Sequence, residues 1–94
     1  MKPKIRIGDN THISAMGVLK GTVIMGEHLA VSHACYFEDC VLDDYVFCTV
    51  GNVVERSIVG KHSLLAGMGV WENVIVADRM ICAGNPAKTI KEMR

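Results

Sequence analysis

The chain has 94 residues with ten basic and ten acidic side chains, so it carries no net charge at pH 7 with histidine neutral. That balance excludes the global field that recruits nucleic acid or an anionic membrane. No signal peptide and no apolar run of the roughly 18 residues needed for a span are present, so a cytoplasmic protein with neither kind of partner is expected. Half the residues are hydrophobic but only 5% are aromatic. This suits a narrow interior of Val, Ile and Leu, or a surface covered on assembly. The length sets one domain, residues 1–94, with a limited core of its own. Cys35, Cys40, Cys48 and Cys82 have no CxxC spacing and read as reduced, buried thiols.

Taken in chain order, the elements follow a period of six. From Ile7 the steps reach Ile13, Leu19, Met25, Val31 and Phe37. After one dropped residue they continue at Leu42, Cys48 and Val54, then after another at Val59, Leu65 and Trp71, and finally at Val76 and Cys82. Every landing is apolar. No helix of 3.6 residues per turn sustains this period, and two-residue alternation does not explain the small residue that usually follows each landing. The pattern predicts an all-β prism with three faces, in which each hexapeptide lays a short strand and turns a corner. Three hexapeptides make a coil of 17–18 residues, and about four to five coils stack in parallel at roughly 4.8 Å. Lys2, Pro3 and Lys4 read as protection of the first edge by charge and proline. Trp71 is expected near a corner or over the last coil. The acidic column Glu38, Glu55, Glu72 is expected to border a neighbour's cations, such as Arg56 or Arg79.

The stretches "IGDNTHISAMGVLKG", "MGEHLAVSH" and "VGKHSLLAGMGVW" resemble the hexapeptide-repeat proteins, whose fold is a left-handed parallel β-helix. The left hand is implied by that resemblance alone, because the general rule for parallel crossovers favours the right. The tail "ICAGNPAKTIKEM" is similar to the "AGNPAK" ending of that superfamily, which implies a short C-terminal helical or frayed tail from Lys88. Within the superfamily the chain resembles most the γ-class carbonic-anhydrase-like proteins, over residues 5–91. Relatives trimerise side by side, so a homotrimer is implied.

In the γ class three histidines from two subunits hold the metal. The corresponding positions here are Lys20, His33 and Glu38. Lysine is a poor zinc ligand. The Gln and Asn beside the first metal histidine are replaced by Ser14 and His12. The resemblance therefore implies no competent metal site and no cofactor, with His33 and Glu38 the pair left for a two-ligand variant. In its place Lys20 and Glu38 form a stacked ion pair, joined by His33 of a neighbouring subunit. The leading expectation is a binding or structural trimer that holds a small polar or anionic ligand at this degenerate inter-subunit site.

Two enzymatic readings stay open. A CoA-dependent acyltransferase of this superfamily uses one histidine to deprotonate an amine or hydroxyl, and His12, His28 and His62 stand at turns or corners. The pantetheine arm then lies between subunits, and the nucleotide meets Gly84, Asn85 and Lys88. The unbroken spacing of five or six leaves no room for an acceptor loop, which weighs against an enzyme. The other is a metal-dependent hydratase with a variant site.

Overall fold

The structure is a computed structural model that describes residues 3–84 and 87–92, with the side chains of residues 85–89 and 91 outside the description. The chain winds as a parallel β-solenoid with three faces. Face one holds β1 (Ile5–Ile7), the second half of β3 (Val18–Met25), the second half of β5 (Tyr36–Leu42), β8 (Ile58–Val59) and β11 (Ile75–Val76). Face two stacks β2 (His12–Ile13), β4 (Ala30–Val31), β6 (Phe47–Cys48), β9 (Leu64–Leu65) and β12 (Met80–Gly84). The first halves of β3 and β5 make face three with β7 (Val53–Glu55) and β10 (Val70–Glu72).

The period of six is the register. Ile13, Val31, Cys48, Leu65 and Cys82 sit directly above one another, as do Leu19, Phe37, Val54 and Trp71. From Met25 onward every landing residue is buried, while Ile13 and Leu19 pack against the core from the open first coil. Ile7, with no strand beneath it among the described residues, stays 47% exposed. The first dropped residue is a register shift after Lys20: Gly21 and Thr22 oppose Asp39 alone, and the Thr22 N–H donates to Asp39 Oδ1 at 2.9 Å.

Each corner turns through one residue in the left-handed region. These are Asn10, His28, Tyr45, His62 and Arg79 between faces one and two. Between faces two and three they are Met16, Ala34, Gly51 and Met68, and between faces three and one Gly21, Asp39, Arg56 and Asn73. A side chain there costs roughly 1–2 kcal/mol. The backbone offsets this by hydrogen bonding between coils: His28 N–H donates to the Asp9 carbonyl, Tyr45 to Glu27, His62 to Asp44 and Met68 to Val50, at 2.9 to 3.1 Å.

Trp71 lies on the axis at 0% exposure. Its ring reaches to the corner at Gly69, where a Cβ would collide with Cη2 and Cζ3. A wide indole thus fits a narrow prism because the corner residue two positions earlier has no side chain. One coil below, Asn52 fills the same corner and is fully buried. Its Nδ2 donates to the carbonyls of Thr49 (2.9 Å) and Leu65 (3.0 Å), and its Oδ1 accepts the Gly69 N–H at 3.0 Å.

The end of the chain departs from expectation. Ala87–Glu92 forms β13, antiparallel to β12, where a helical or frayed tail is implied by the resemblance. The strand covers the upper edge of β12, an unpaired row of backbone groups that a helix would leave open. The first edge shows Pro3 and Lys4 exposed; Lys2 lies outside the described residues.

All four cysteines are buried, and none is in a disulfide. Burial, with Asp39 beside it, pushes the Cys40 thiol from its ordinary 9 up to about 12, and burial raises Cys48 as well. Cys40 and Cys48 therefore hold their protons and are not nucleophiles.

Two outcomes follow. Asn52→Ala leaves the buried Gly69 N–H without its acceptor, while the Leu65 and Thr49 carbonyls keep the Thr49 and Cys35 donors, and is expected to cost about 2 kcal/mol, and Gly69→Ala about 1–3 kcal/mol through overpacking of Trp71; urea denaturation measures both. A raised thiol pKa stabilises the fold fully below pH 9, and this contribution is lost as pH rises towards 12. The urea midpoint is therefore expected to fall between pH 9 and 11, less steeply in Cys40→Val. Parallel pH profiles for the two proteins would contradict this assignment.

Candidate functional site

A solenoid turns sequence spacing into columns, so each candidate residue is placed by the column it joins. Lys20, Glu38, Glu55 and Glu72 stand in register at the end of face three. The stacking of Lys20 on Glu38 is as the spacing predicts, yet no ion pair joins them. Glu38 Oε1 instead accepts the Tyr36 hydroxyl at 2.7 Å, a bond that, more than burial, raises the Tyr36 pKa. Arg56 NH2 reaches Glu72 Oε1 of the same chain at 3.1 Å, with both side chains about half exposed or more. The neighbour's cation proposed for this acidic column is in part supplied from within: Arg56 follows Glu55 at a left-handed corner residue. At that exposure the pair contributes about 1 kcal/mol at most.

His33 sits exposed at the corner between faces two and three, at the opposite end of the face-three strand from Glu38. The two do not meet within one chain; only a neighbouring copy could bring them together. Among the described residues no group of three His, Cys, Asp or Glu side chains is arranged to hold a metal ion.

The other imidazoles divide into two kinds. His28 and His62 flank Tyr45 in one corner column, ring centroids 4.9 and 4.8 Å apart with nearly parallel planes. Left-handed backbone at all three positions aims the rings outward in the same way. His12, expected at a turn, lies instead in β2, exposed on face two beneath the small Ala30, with no strand below it among the described residues. It has no stacked ring partner.

A shallow concavity of about 350 Å³ opens where face three turns into face one, lined by Thr22, Asp39, Cys40, Val41, Arg56, Ser57 and Ile58. It holds no activated nucleophile, since the Cys40 thiol keeps its proton and Asp39 Oδ1 is engaged by Thr22 N–H. Of the residues expected near a nucleotide, Gly84 ends β12 exposed with φ 107°. Lys88 pairs with Ala83 through its backbone in the β12–β13 hairpin, and Asn85 lies outside the described residues.

No family model matches the chain, and no curated protein matches it. Solved structures do match. A hexapeptide-repeat-containing acetyltransferase from Vibrio cholerae O1 biovar eltor, complexed with acetyl coenzyme A, is 21% identical with a TM-score of 0.91, covering 96% of this chain and 61% of that one. A hexapeptide transferase family protein from Anaplasma phagocytophilum is 28% identical with a TM-score of 0.90, over 96% of this chain and 56% of that one. The polySia-specific acetyltransferase NeuO is 20% identical with a TM-score of 0.87, over 94% of this chain and 48% of that one. The chain spans about half to three-fifths of the length of these proteins.

These likenesses correct the leading expectation. The neighbours are acetyltransferases and a hexapeptide transferase family protein, so the reading as a zinc-free, carbonic-anhydrase-like binding or structural trimer is overturned, and the γ class is not supported as the nearest relation. The mapping of metal positions onto Lys20, His33 and Glu38 followed a repeat that both groups share, and the repeat constrains the axis rather than the outward columns. What the chain has is the left-handed parallel β-helix of the hexapeptide-repeat superfamily.

Proposed function

We propose that the chain acts in CoA-dependent acyl transfer, moving an acyl group from a thioester to an amine or hydroxyl. The observation that carries this is the match of 96% of the chain, at a TM-score of 0.91, to an acetyltransferase complexed with acetyl coenzyme A. In the reaction the acceptor nitrogen or oxygen attacks the thioester carbonyl and the new bond to carbon forms. The carbon–sulfur bond then breaks, and the acceptor's proton is taken by a general base and returned to the departing CoA thiolate.

His12 is the base in this reading. His28 and His62 are held in a ring stack with Tyr45, whereas the His12 imidazole is exposed on a flat face and beside small Ala30. The four cysteines are all buried and leave no accessible protein thiol to take the acyl group. For the nucleotide phosphates the reading assigns the exposed backbone of Gly84, with Lys88 as the cation and Asn85 beside them in the sequence. The pantetheine arm lies between copies of the chain, in a homotrimer.

Acetyl-CoA is expected to raise the thermal midpoint, since a ligand for the folded state stabilises it. CoA release, followed with a thiol reagent over a panel of small amines and alcohols, is expected to fall at least about 100-fold in His12→Ala. The acetyl-CoA midpoint shift should persist in that variant, and His28→Ala and His62→Ala should keep most of the rate. No shift with acetyl-CoA or CoA would end the reading; loss of rate in His62→Ala alone would move the base to that corner.

A further inference from the structure

Asp39 and Arg56 occupy the same corner, between faces three and one, in successive coils, with left-handed backbone at φ 49° and 48°. The Arg56 N–H donates to the Glu38 carbonyl at 2.9 Å, so the two residues stand one above the other, a coil rise of about 4.8 Å apart. Neither of the other corner columns stacks an acid directly beneath a base. Opposite charges so placed ordinarily pair, yet here the side chains part. The Asp39 carboxylate turns down the corner, where Oδ1 accepts the Thr22 N–H at 2.9 Å and fills the space that Gly21 leaves open. The Arg56 guanidinium turns up the corner to Glu72 Oε1 at 3.1 Å.

The concavity of about 350 Å³ opens beside this divergence, with Thr22 and Asp39 in its lower coils and Arg56 in the upper one. Its floor has no polar group to spare. Ser57 is buried, and its hydroxyl both donates to the Glu55 carbonyl at 2.9 Å and accepts the Val74 N–H at 3.0 Å. The outer wall is aliphatic: Val41 and Ile58 stand in register, 40% and 53% exposed. What the site offers a ligand is therefore Asp39 Oδ2 at one end, the Arg56 N–H groups at the other, and an apolar side between them. A ligand with a single charge meets its partner at one end and a like charge at the other. A small zwitterion meets both.

We infer that this corner binds a free α-amino acid with an aliphatic side chain. Its ammonium donates to Asp39 Oδ2, its carboxylate accepts from Arg56, and its side chain covers Val41 and Ile58. Glu72 does not close the site, because an ion pair this exposed is weak. The planar guanidinium also carries five N–H donors, enough for a second carboxylate.

The test reads binding alone and does not depend on acyl transfer. In ¹H–¹⁵N spectra titrated with L-leucine, the amides of Thr22, Val41 and Ile58 are expected to shift saturably. A dissociation constant of about 1 mM suits so few ligand atoms on an open surface. 4-Methylpentanoate lacks the ammonium and 3-methylbutylamine lacks the carboxylate, so each is expected to bind at least about tenfold more weakly. Asp39→Asn and Arg56→Asn are each expected to weaken leucine binding by a similar factor, and asparagine suits the left-handed corner. Ile75→Ser, one coil above the wall, is expected to bind leucine as the natural chain does. The analogue series needs only the natural chain, so it decides the matter should a variant fail to fold. Absence of a saturable shift with leucine overturns the inference, as does equal binding of 4-methylpentanoate or undiminished binding in both corner variants.

Discussion

The fold depends on one repeated bond: the N–H of a left-handed corner residue donating to a carbonyl in the coil beneath. Ala34 to Ala15, His28 to Asp9 and Arg56 to Glu38 are instances from the three corners. Each bond requires a backbone conformation that L residues avoid, and each is available only when the coil below is already in place. Stability therefore passes from coil to coil, and the first coil, with nothing beneath it among the described residues, shows the consequence in its exposed Ile5 and Ile7.

Fixed register gives the molecule its chemistry as well as its shape. Residues 17 or 18 apart become vertical neighbours, so charge, aromaticity and volume act as columns. The acidic column is relieved by Tyr36 and Arg56. The stack of His28, Tyr45 and His62 uses the coil spacing of about 4.8 Å as a ring-stacking distance. The axis admits an indole only where Gly69 leaves the corner empty. Chemistry is confined to outward positions, because the axis is filled by buried apolar side chains and thiols.

This division explains what the sequence makes legible. The axis is written in it: fourteen apolar landings predict which residues align, and Ile13, Val31, Cys48 and Leu65 do. The stacking of Lys20 on Glu38 is legible for the same reason. The corner conformations are not, since His28, Tyr45 and Arg56 carry none of the usual glycine or asparagine marks of left-handed backbone. Nor is β13, because an antiparallel return after Gly84 follows from the open edge of β12 rather than from any local pattern. His12 reads as a turn residue from its neighbours Asp9, Asn10 and Thr11, yet the register places it in β2. The function misleads most: outward columns are free to vary, so positions aligned to a metal-binding relative carry over its geometry without its chemistry.

Residues 12–19, 30–37, 47–54 and 64–71 contain no Asp, Glu, Lys or Arg and stack above one another as a charge-free wall. Its four stretches are plain in the sequence but separate, and only the 17- and 18-residue coil makes them one surface. His12 stands on that surface. If two copies meet there, the histidine that this reading assigns to proton transfer lies beside the join, on a wall with no carboxylate to compete for an acceptor's proton and no cation to bind a stray anion. In the acyl-transfer reading, exclusion of water and of fixed charge would strengthen a polar interaction of the thioester carbonyl there, because the effective dielectric falls. Assembly and catalysis would then draw on the same feature: an apolar side that is a liability for one chain alone becomes, between two, the dry margin of a reacting cleft.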